Sequence, residues 1–318
     1  MKLNVVTFGE PMTMFFANEV GSLDHVVTFS KALAGAETNV ATGLSRLGMN
    51  VGLVTKLGDD TFGRFITNAL NKENIDTSSI IVTNEYQTGM LVKSKVLEGD
   101  PEVQYFRKNS AASKLGAEDF SEAYFRNASH LHVTSIPSAL SKECNEFTVR
   151  AMDFMREEGK TISFDPNLRP GLWPDEATMV HTINELALKC DWFLPGISEG
   201  KTLTGYDQPE QIADFYLEKG IKLVVIKLGA EGAFYKSEDE SGYVKGFEVK
   251  EVVDTVGAGD GFAVGIISAL LEKLPVKEAV VRANAIGALA VMSPGDSDGL
   301  PTKKGLAEFI DYSLVAAK

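Results

Sequence analysis

Short runs rich in β-branched and aromatic residues recur along the chain at 3–8, 51–56, 130–134, 161–165, 192–195 and 222–228. Between them, apolar positions repeat at helical spacing over 39–46, 60–72, 142–157, 208–219, 262–272 and 276–291. Strands alternating with helices predict a mostly parallel sheet covered on both faces, a three-layer α/β/α fold. The last two helical segments are apolar almost all the way round, which predicts deep burial for both. Two segments break the rhythm: 12–29, and 88–107 with Glu98-Gly99-Asp100-Pro101 as a turn between two strand-like runs. They read either as one small β-sheet inserted into the main unit or as ordinary surface hairpins. No repeat, low-complexity tract or linker divides the chain, so 1–318 reads as one domain.

At 318 residues and 44% hydrophobic, the chain can bury a sizeable core. Its net charge of −13 is spread along the sequence with no basic cluster, which argues against a nucleic-acid partner. Residues 1–10 lack a charged leader followed by a long apolar stretch. No segment approaches the roughly 18 apolar residues of a membrane span. The expectation is a cytoplasmic protein with no membrane partner. Cys144 and Cys190 lie far apart and follow no metal spacing, so they read as buried free thiols.

Candidate chemistry concentrates in Asp254-Thr255-Val256-Gly257-Ala258-Gly259-Asp260-Gly261-Phe262, a glycine loop with two carboxylates entering an apolar helix. Backbone amides of Gly257, Ala258 and Gly259 converging at a helix N-terminus would hold an anion. A carboxylate at Asp260 facing that anion is unfavourable unless it handles a proton there, as a phosphoryl-transfer base does; the other reading is a helix cap. Further motifs follow in order: Ala34-Gly35-Ala36-Glu37-Thr38-Asn39, Gly58-Asp59-Asp60-Thr61-Phe62-Gly63, Phe164-Asp165-Pro166-Asn167-Leu168-Arg169-Pro170 and Lys227-Leu228-Gly229-Ala230-Glu231-Gly232. No Gly-x-x-x-x-Gly-Lys-Ser/Thr run is present. Gly9-Glu10-Pro11-Met12 likewise offers no dinucleotide-binding turn after the first strand.

In this order and spacing the motifs resemble the ribokinase-like, phosphofructokinase B family of ATP-dependent sugar kinases, over nearly the whole chain. The resemblance implies a ribokinase-like fold, with the small sheet (12–29 and 88–107) as a lid over the sugar and a contact for a homo-oligomer. It implies ATP and Mg2+ as cofactors and transfer of the γ-phosphoryl group to a terminal hydroxyl, with Asp260 as base and the amides of Gly257, Ala258 and Gly259 around the developing charge. Gly35, Asn39, Tyr105, Arg107 and Arg169 carry over as sugar contacts. Lys227, Gly229, Gly232, Gly257, Gly259 and Asn284 carry over on the nucleotide side, although Asn284 reads equally as a polar residue satisfied inside a packed helix. Glu199 would meet Mg2+ through water. Asp254, with the backbone of Val256, resembles the loop that binds a monovalent cation, K+, in some relatives. Asp296 is a candidate to close the sugar site or a plain turn residue. Two departures stand out: Ala34 replaces the usual first glycine of the sugar loop, and Gly196 replaces the asparagine of an Asn-x-x-Glu element.

Arg107 and Arg169 are each open to a solvated reading, but two guanidinium groups converging on one end of an acceptor suit a carboxylate. The expected acceptor is therefore a sugar acid; within the family, Gly9-Glu10-Pro11-Met12, the Tyr-x-Arg-x-x-Ser-Ala-Ala stretch at 105–112 and Asp-Pro-Asn-Leu-Arg-Pro at 165–170 resemble the kinases of 2-keto-3-deoxygluconate, which implies that acid. A neutral sugar such as fructose is the alternative, since fructokinases of the family carry similar segments. A non-catalytic sugar-binding relative would keep the glycine loops but would have no need of Asp260.

Overall fold

A computed structural model describes residues 2–97, 99, 101–293 and 295–316. Thirteen strands follow one another among them: β1 (Leu3–Phe8), β2 (Met12–Val20), β3 (Phe29–Ala34), β4 (Val51–Gly58), β5 (Ile80–Thr83), β6 (Met90–Lys95), β7 (Val103–Phe106), β8 (Ala128–Thr134), β9 (Thr161–Asp165), β10 (Trp192–Phe193), β11 (Leu223–Lys227), β12 (Gly232–Ser237) and β13 (Ser241–Lys245). The helices are α1 (Ala36–Arg46), α2 (Thr61–Lys72), α3 (Glu122–Arg126), α4 (Ile136–Leu140), α5 (Lys142–Glu157), α6 (Glu176–Ala187), α7 (Ile197–Thr204), α8 (Pro209–Leu217), α9 (Ala258–Leu271), α10 (Val276–Val291) and α11 (Lys303–Ala316).

Nine strands form the main sheet in the order β13-β12-β11-β10-β9-β8-β1-β4-β5. All neighbours are parallel except the β11-β12-β13 edge, which folds back as antiparallel hairpins. Successive side chains of a strand face opposite sides, and here each side meets its own helical layer. In β1, Val6 and Phe8 point into a core shared with α5, α6 and α8, whereas Val5 joins α1, α9 and α10. In β11, Val224 and Ile226 take the first side, Leu223 and Val225 the second. The predicted three-layer, mostly parallel architecture is the one observed.

The boundaries show where local pattern yields to packing. Helix α9 begins at Ala258, four residues before the apolar run starts, because Gly257 adopts a left-handed φ of 83° and turns the loop into the helix. The strand expected at 192–195 forms a regular ladder over Trp192 and Phe193, after which Leu194 still donates to the Phe164 carbonyl and the Lys227 amide to the Pro195 carbonyl. Pro195 has no amide to continue the ladder. Helices α6, α7 and α11 and the β12-β13 hairpin had no counterpart in the pattern reading; β13 is short and mostly exposed, so it carries little alternation.

The second sheet has the order β3-β2-β6-β7. Its β3 runs on to Ala34 because pairing with β2 continues to Met12↔Ala34, past the 12–29 segment. Met12, Met14, Ala34 and Leu91 form its small core. The expected turn Glu98-Gly99-Asp100-Pro101 includes Glu98 and Asp100, which lie outside the described residues. Cys144 and Cys190 are buried free thiols, and burial pushes the Cys144 thiol up to about 11. No helix among the described residues is long and apolar enough to cross a membrane.

Candidate active site

The chain leaves β1 for β4 on one side and later returns to β8 on the other, so β1 borders a switch point. Beyond the carboxyl ends of such strands an open sheet leaves a crevice. Here it is a cleft of about 370 Å³, floored by Asp165, Lys227 and the start of α9. Met12, Leu91, Tyr105 and Arg107 of the small sheet and its exit border the same cleft.

Asp260 lies in the first turn of α9 and is only 7% exposed. Asn39, on α1, donates Nδ2–H to its Oδ2 at 2.7 Å, and Asn167 approaches its Oδ1 at 3.4 Å. Desolvation pushes the carboxyl up to about 7; Asn39 pulls it down, while the charges of Asp165, Glu37 and Asp296 add to the rise. A helix N-terminus favours an anion, so its effect is outweighed here by burial among like charges. A carboxylate poised near neutrality and aimed into a cleft suits a general base.

The backbone beside Asp260 is shaped for close approach. A Cβ at Gly257 would run into the Asp296 carbonyl oxygen, so only glycine leaves the cradle open. Gly257 and Gly259 line the cleft; Ala258 is absent from its wall and donates its amide to Thr255 O at 3.4 Å.

Lys227 lines the floor of the cleft beside Asp165. Its Nζ lies 2.7 Å from Asp165 Oδ2 and 4.0 Å from Glu199 Oε2. Burial would lower this ammonium, but Asp165, Glu199 and Asp260 outweigh it and raise its pKa. Glu199 accepts backbone amides through both oxygens, from Leu168 (2.8 Å) and Gly196 (2.7 Å). It thereby fastens the 165–169 loop to α7. Asp165 Oδ1 accepts the Asn167 amide at 3.2 Å, and Asn167 sits at φ 41°, so the Asp-Pro-Asn segment is a built turn as well as a cleft wall.

On the opposite side Arg107 donates from Nε to Glu10 Oε2 at 2.6 Å, and its Nη2 also reaches that oxygen. Ser110 donates to the other Glu10 oxygen. The guanidinium lies 5.5 Å from the Tyr105 ring centre, and Tyr105 is half-exposed. Arg169 is exposed, lines the cleft and donates Nη1–H to the carbonyl of Leu168. Gly35 and Asn39 complete this wall.

Three expected nucleotide residues stand apart from the cleft wall. Gly229 and Gly232 turn the chain between β11 and β12 with φ of 62° and 104°. Asn284 donates Nδ2–H to the carbonyls of Val244 (3.1 Å) and Lys245 (3.2 Å), tying α10 to β13. Asp254 receives the Lys93 ammonium at 2.6 Å. Among the described residues no cluster of three His, Cys, Asp or Glu side chains is arranged to hold a metal.

Three buried participants were not anticipated as site residues: Glu10, Glu37 and Lys93. Glu37 accepts the Thr134 hydroxyl, and burial raises its pKa. A Cβ on Gly9 would collide with its carboxylate. Its one sequence signal was an acid set among small residues just ahead of Asn39.

A parallel sheet with a buried carboxylate at a glycine-cradled helix start and a basic far wall suits a phosphotransferase of small, polar alcohols. Residues 2–303 match the pfkB family carbohydrate kinases, and the chain belongs to that family. It is 60% identical to the 2-dehydro-3-deoxygluconokinase of Bacillus subtilis (strain 168), across 98% of this chain and 96% of that one. Fructokinase-1 of Zea mays is 32% identical, across 96% and 97% of the two chains. Among solved structures, a PfkB protein from Polaromonas sp. JS666 superposes with a TM-score of 0.89 at 48% identity, covering 96% of this chain and 99% of that one. An E. coli protein solved in complex with ATP and Mg2+ gives 0.91 at 28% identity, covering 98% and 99%.

Proposed function

We propose that this kinase transfers the γ-phosphoryl group of ATP to the terminal hydroxyl of 2-keto-3-deoxygluconate (2-dehydro-3-deoxygluconate). The observation that carries the reading is the position of Asp260, in the turn between the glycine cradle and the wall that holds Arg107 and Arg169. Asp260 takes the hydroxyl proton while Asn39 holds its carboxylate in orientation. The α9 start receives the transferring phosphoryl charge, with Lys227 on the nucleotide side. Glu199 would meet Mg2+ through water, and the ion would offset part of that charge. Gly35, Asn39 and Tyr105 contact the sugar. Arg107 and Arg169 take its carboxylate. Glu10 occupies the Nε–Nη2 edge of Arg107, so Nη1 and the outer hydrogen of Nη2 are left to face an acceptor.

The 60% identity to a 2-dehydro-3-deoxygluconokinase, against 32% to a fructokinase, supports the acid over the neutral sugar. ATP as donor supports the cytoplasm as the compartment of the reaction. Exposed Val20 and Phe106 support the small sheet as a contact between copies, which light scattering of the wild type would test. For the acceptor, ATP-dependent phosphorylation is compared between the acid and fructose, in wild type, Arg107→Ala and Arg169→Ala. Each variant should lower kcat/KM for the acid relative to hexose by about ten- to a hundredfold, the worth of a charge-assisted hydrogen bond. Preference of the wild type for fructose, or equal losses on both substrates, would show that these arginines do not read a carboxylate.

A further inference from the structure

We propose that the Lys93 ammonium is this kinase's built-in cation at the Asp254 loop, joining the small sheet to the phosphate cradle and leaving no role there for a monovalent metal ion. Lys93 stands in mid-strand on β6, its backbone paired to Phe16 of β2 on one side and to Val103 of β7 on the other. Two ladders therefore fix where its side chain starts. The side chain is 8% exposed, and its Nζ reaches Asp254 Oδ2 at 2.6 Å and Asp296 Oδ1 at 3.5 Å, carboxylates themselves 13% and 10% exposed.

Those two acids bracket the cradle. Asp254 opens the signature loop, and its second oxygen accepts the Val256 amide at 3.0 Å. The backbone of Asp296 lies against Gly257, where it would meet any Cβ placed there. One ammonium from the small sheet thus holds both loops that shape the anion site. A buried ammonium between two carboxylates is a paired charge; removing it would leave the acids facing each other without compensation.

A monovalent cation at Asp254 would share oxygens that already accept from Lys93 and the Val256 amide, and would set its charge directly against the buried ammonium. The residues present do not fit such an ion. They supply the same charge covalently, from a sheet whose next strand, β7, carries Tyr105 toward the acceptor.

The test measures binding of a non-hydrolysable ATP analogue with Mg2+ by calorimetry, alongside turnover, in KCl and in N-methylglucamine chloride of equal ionic strength. Nucleotide binding does not depend on which sugar is the acceptor, so this result and the acceptor assignment stand or fall separately. Wild type should bind equally in both salts. Lys93→Met should lose affinity about tenfold in the organic cation, the scale of one charge-assisted contact, and regain it in K+ or ammonium. Lys93→Arg should bind like wild type in both salts. Wild-type binding that weakens when K+ is withdrawn would overturn the proposal, and this comparison needs no variant. A loss in Lys93→Met that no cation restores would overturn it too, reducing Lys93 to a structural tether.

Discussion

Replacing Asp260 with Asn separates what this carboxyl does for the reaction from what it does to the fold. The structure moves its pKa from 3.8 to about 7, with burial as the largest cause. Between those two values the folded chain keeps the proton and the unfolded chain has released it. Wild type therefore loses stability as the pH rises through this window, and the whole penalty is present above about pH 7. At about 1.4 kcal/mol per pH unit the interval amounts to about 4 kcal/mol, an upper bound that hydration of the cleft reduces. The amide of Asp260→Asn carries no such penalty. Urea unfolding at pH 4 and pH 8 should show the variant gaining about 1–4 kcal/mol over wild type at the higher pH relative to the lower. Turnover should fall by roughly 10² to 10⁴ with nucleotide and sugar affinities little changed. The acidic limb of kcat/KM, centred near 7 in wild type, should vanish from the residual activity. A stability difference that does not change with pH would refute the burial argument, and near-normal turnover would remove Asp260 from proton transfer.

Glu10→Ala strands the Arg107 guanidinium, so a loss of about 3–5 kcal/mol is expected in the urea midpoint; a loss under about 1 kcal/mol would mean the arginine finds solvent instead. Gly257→Ala forces a side chain onto φ 83° and into the Asp296 carbonyl, which should cost at least about 1 kcal/mol of stability and weaken binding of an ATP analogue. Unchanged melting and affinity would show that the loop can shift. Backbone amides of β6 and β7 should gain hydrogen-exchange protection when the acceptor binds, if the small sheet closes on it. The same protection with and without saturating acceptor would make it a fixed wall.

The parallel core and its two helical layers were legible in the one-dimensional pattern, because strand and helix periods survive wherever one face is buried. Helices α5 and α10 and strands β1 and β9 fall where the periodicity places them. That Asp260, Asn39 and Lys227 would share one crevice was legible too, since their motifs set polar side chains beside glycines the backbone requires; Arg107, whose segment holds no glycine, stood out only as a charge at the end of a hairpin. Boundaries set by one backbone angle were not. The start of α9 depends on the left-handed turn at Gly257, which residue type permits but does not compel.

Nor could the pattern say which charges meet. Glu10 and Arg107 are 97 residues apart, Lys93 and Asp254 are 161 apart, and Asn39 and Asp260 are 221 apart. Before folding, each is a solvated charge or amide. Only when the sheet brings the strand ends to one crevice and removes water does Asp260 rise toward neutrality, Lys227 remain charged among carboxylates, and Lys93 become a buried bridge. Periodicity is a local property and survives in the sequence. Desolvation and Coulomb pairing act through space, between residues the chain keeps far apart.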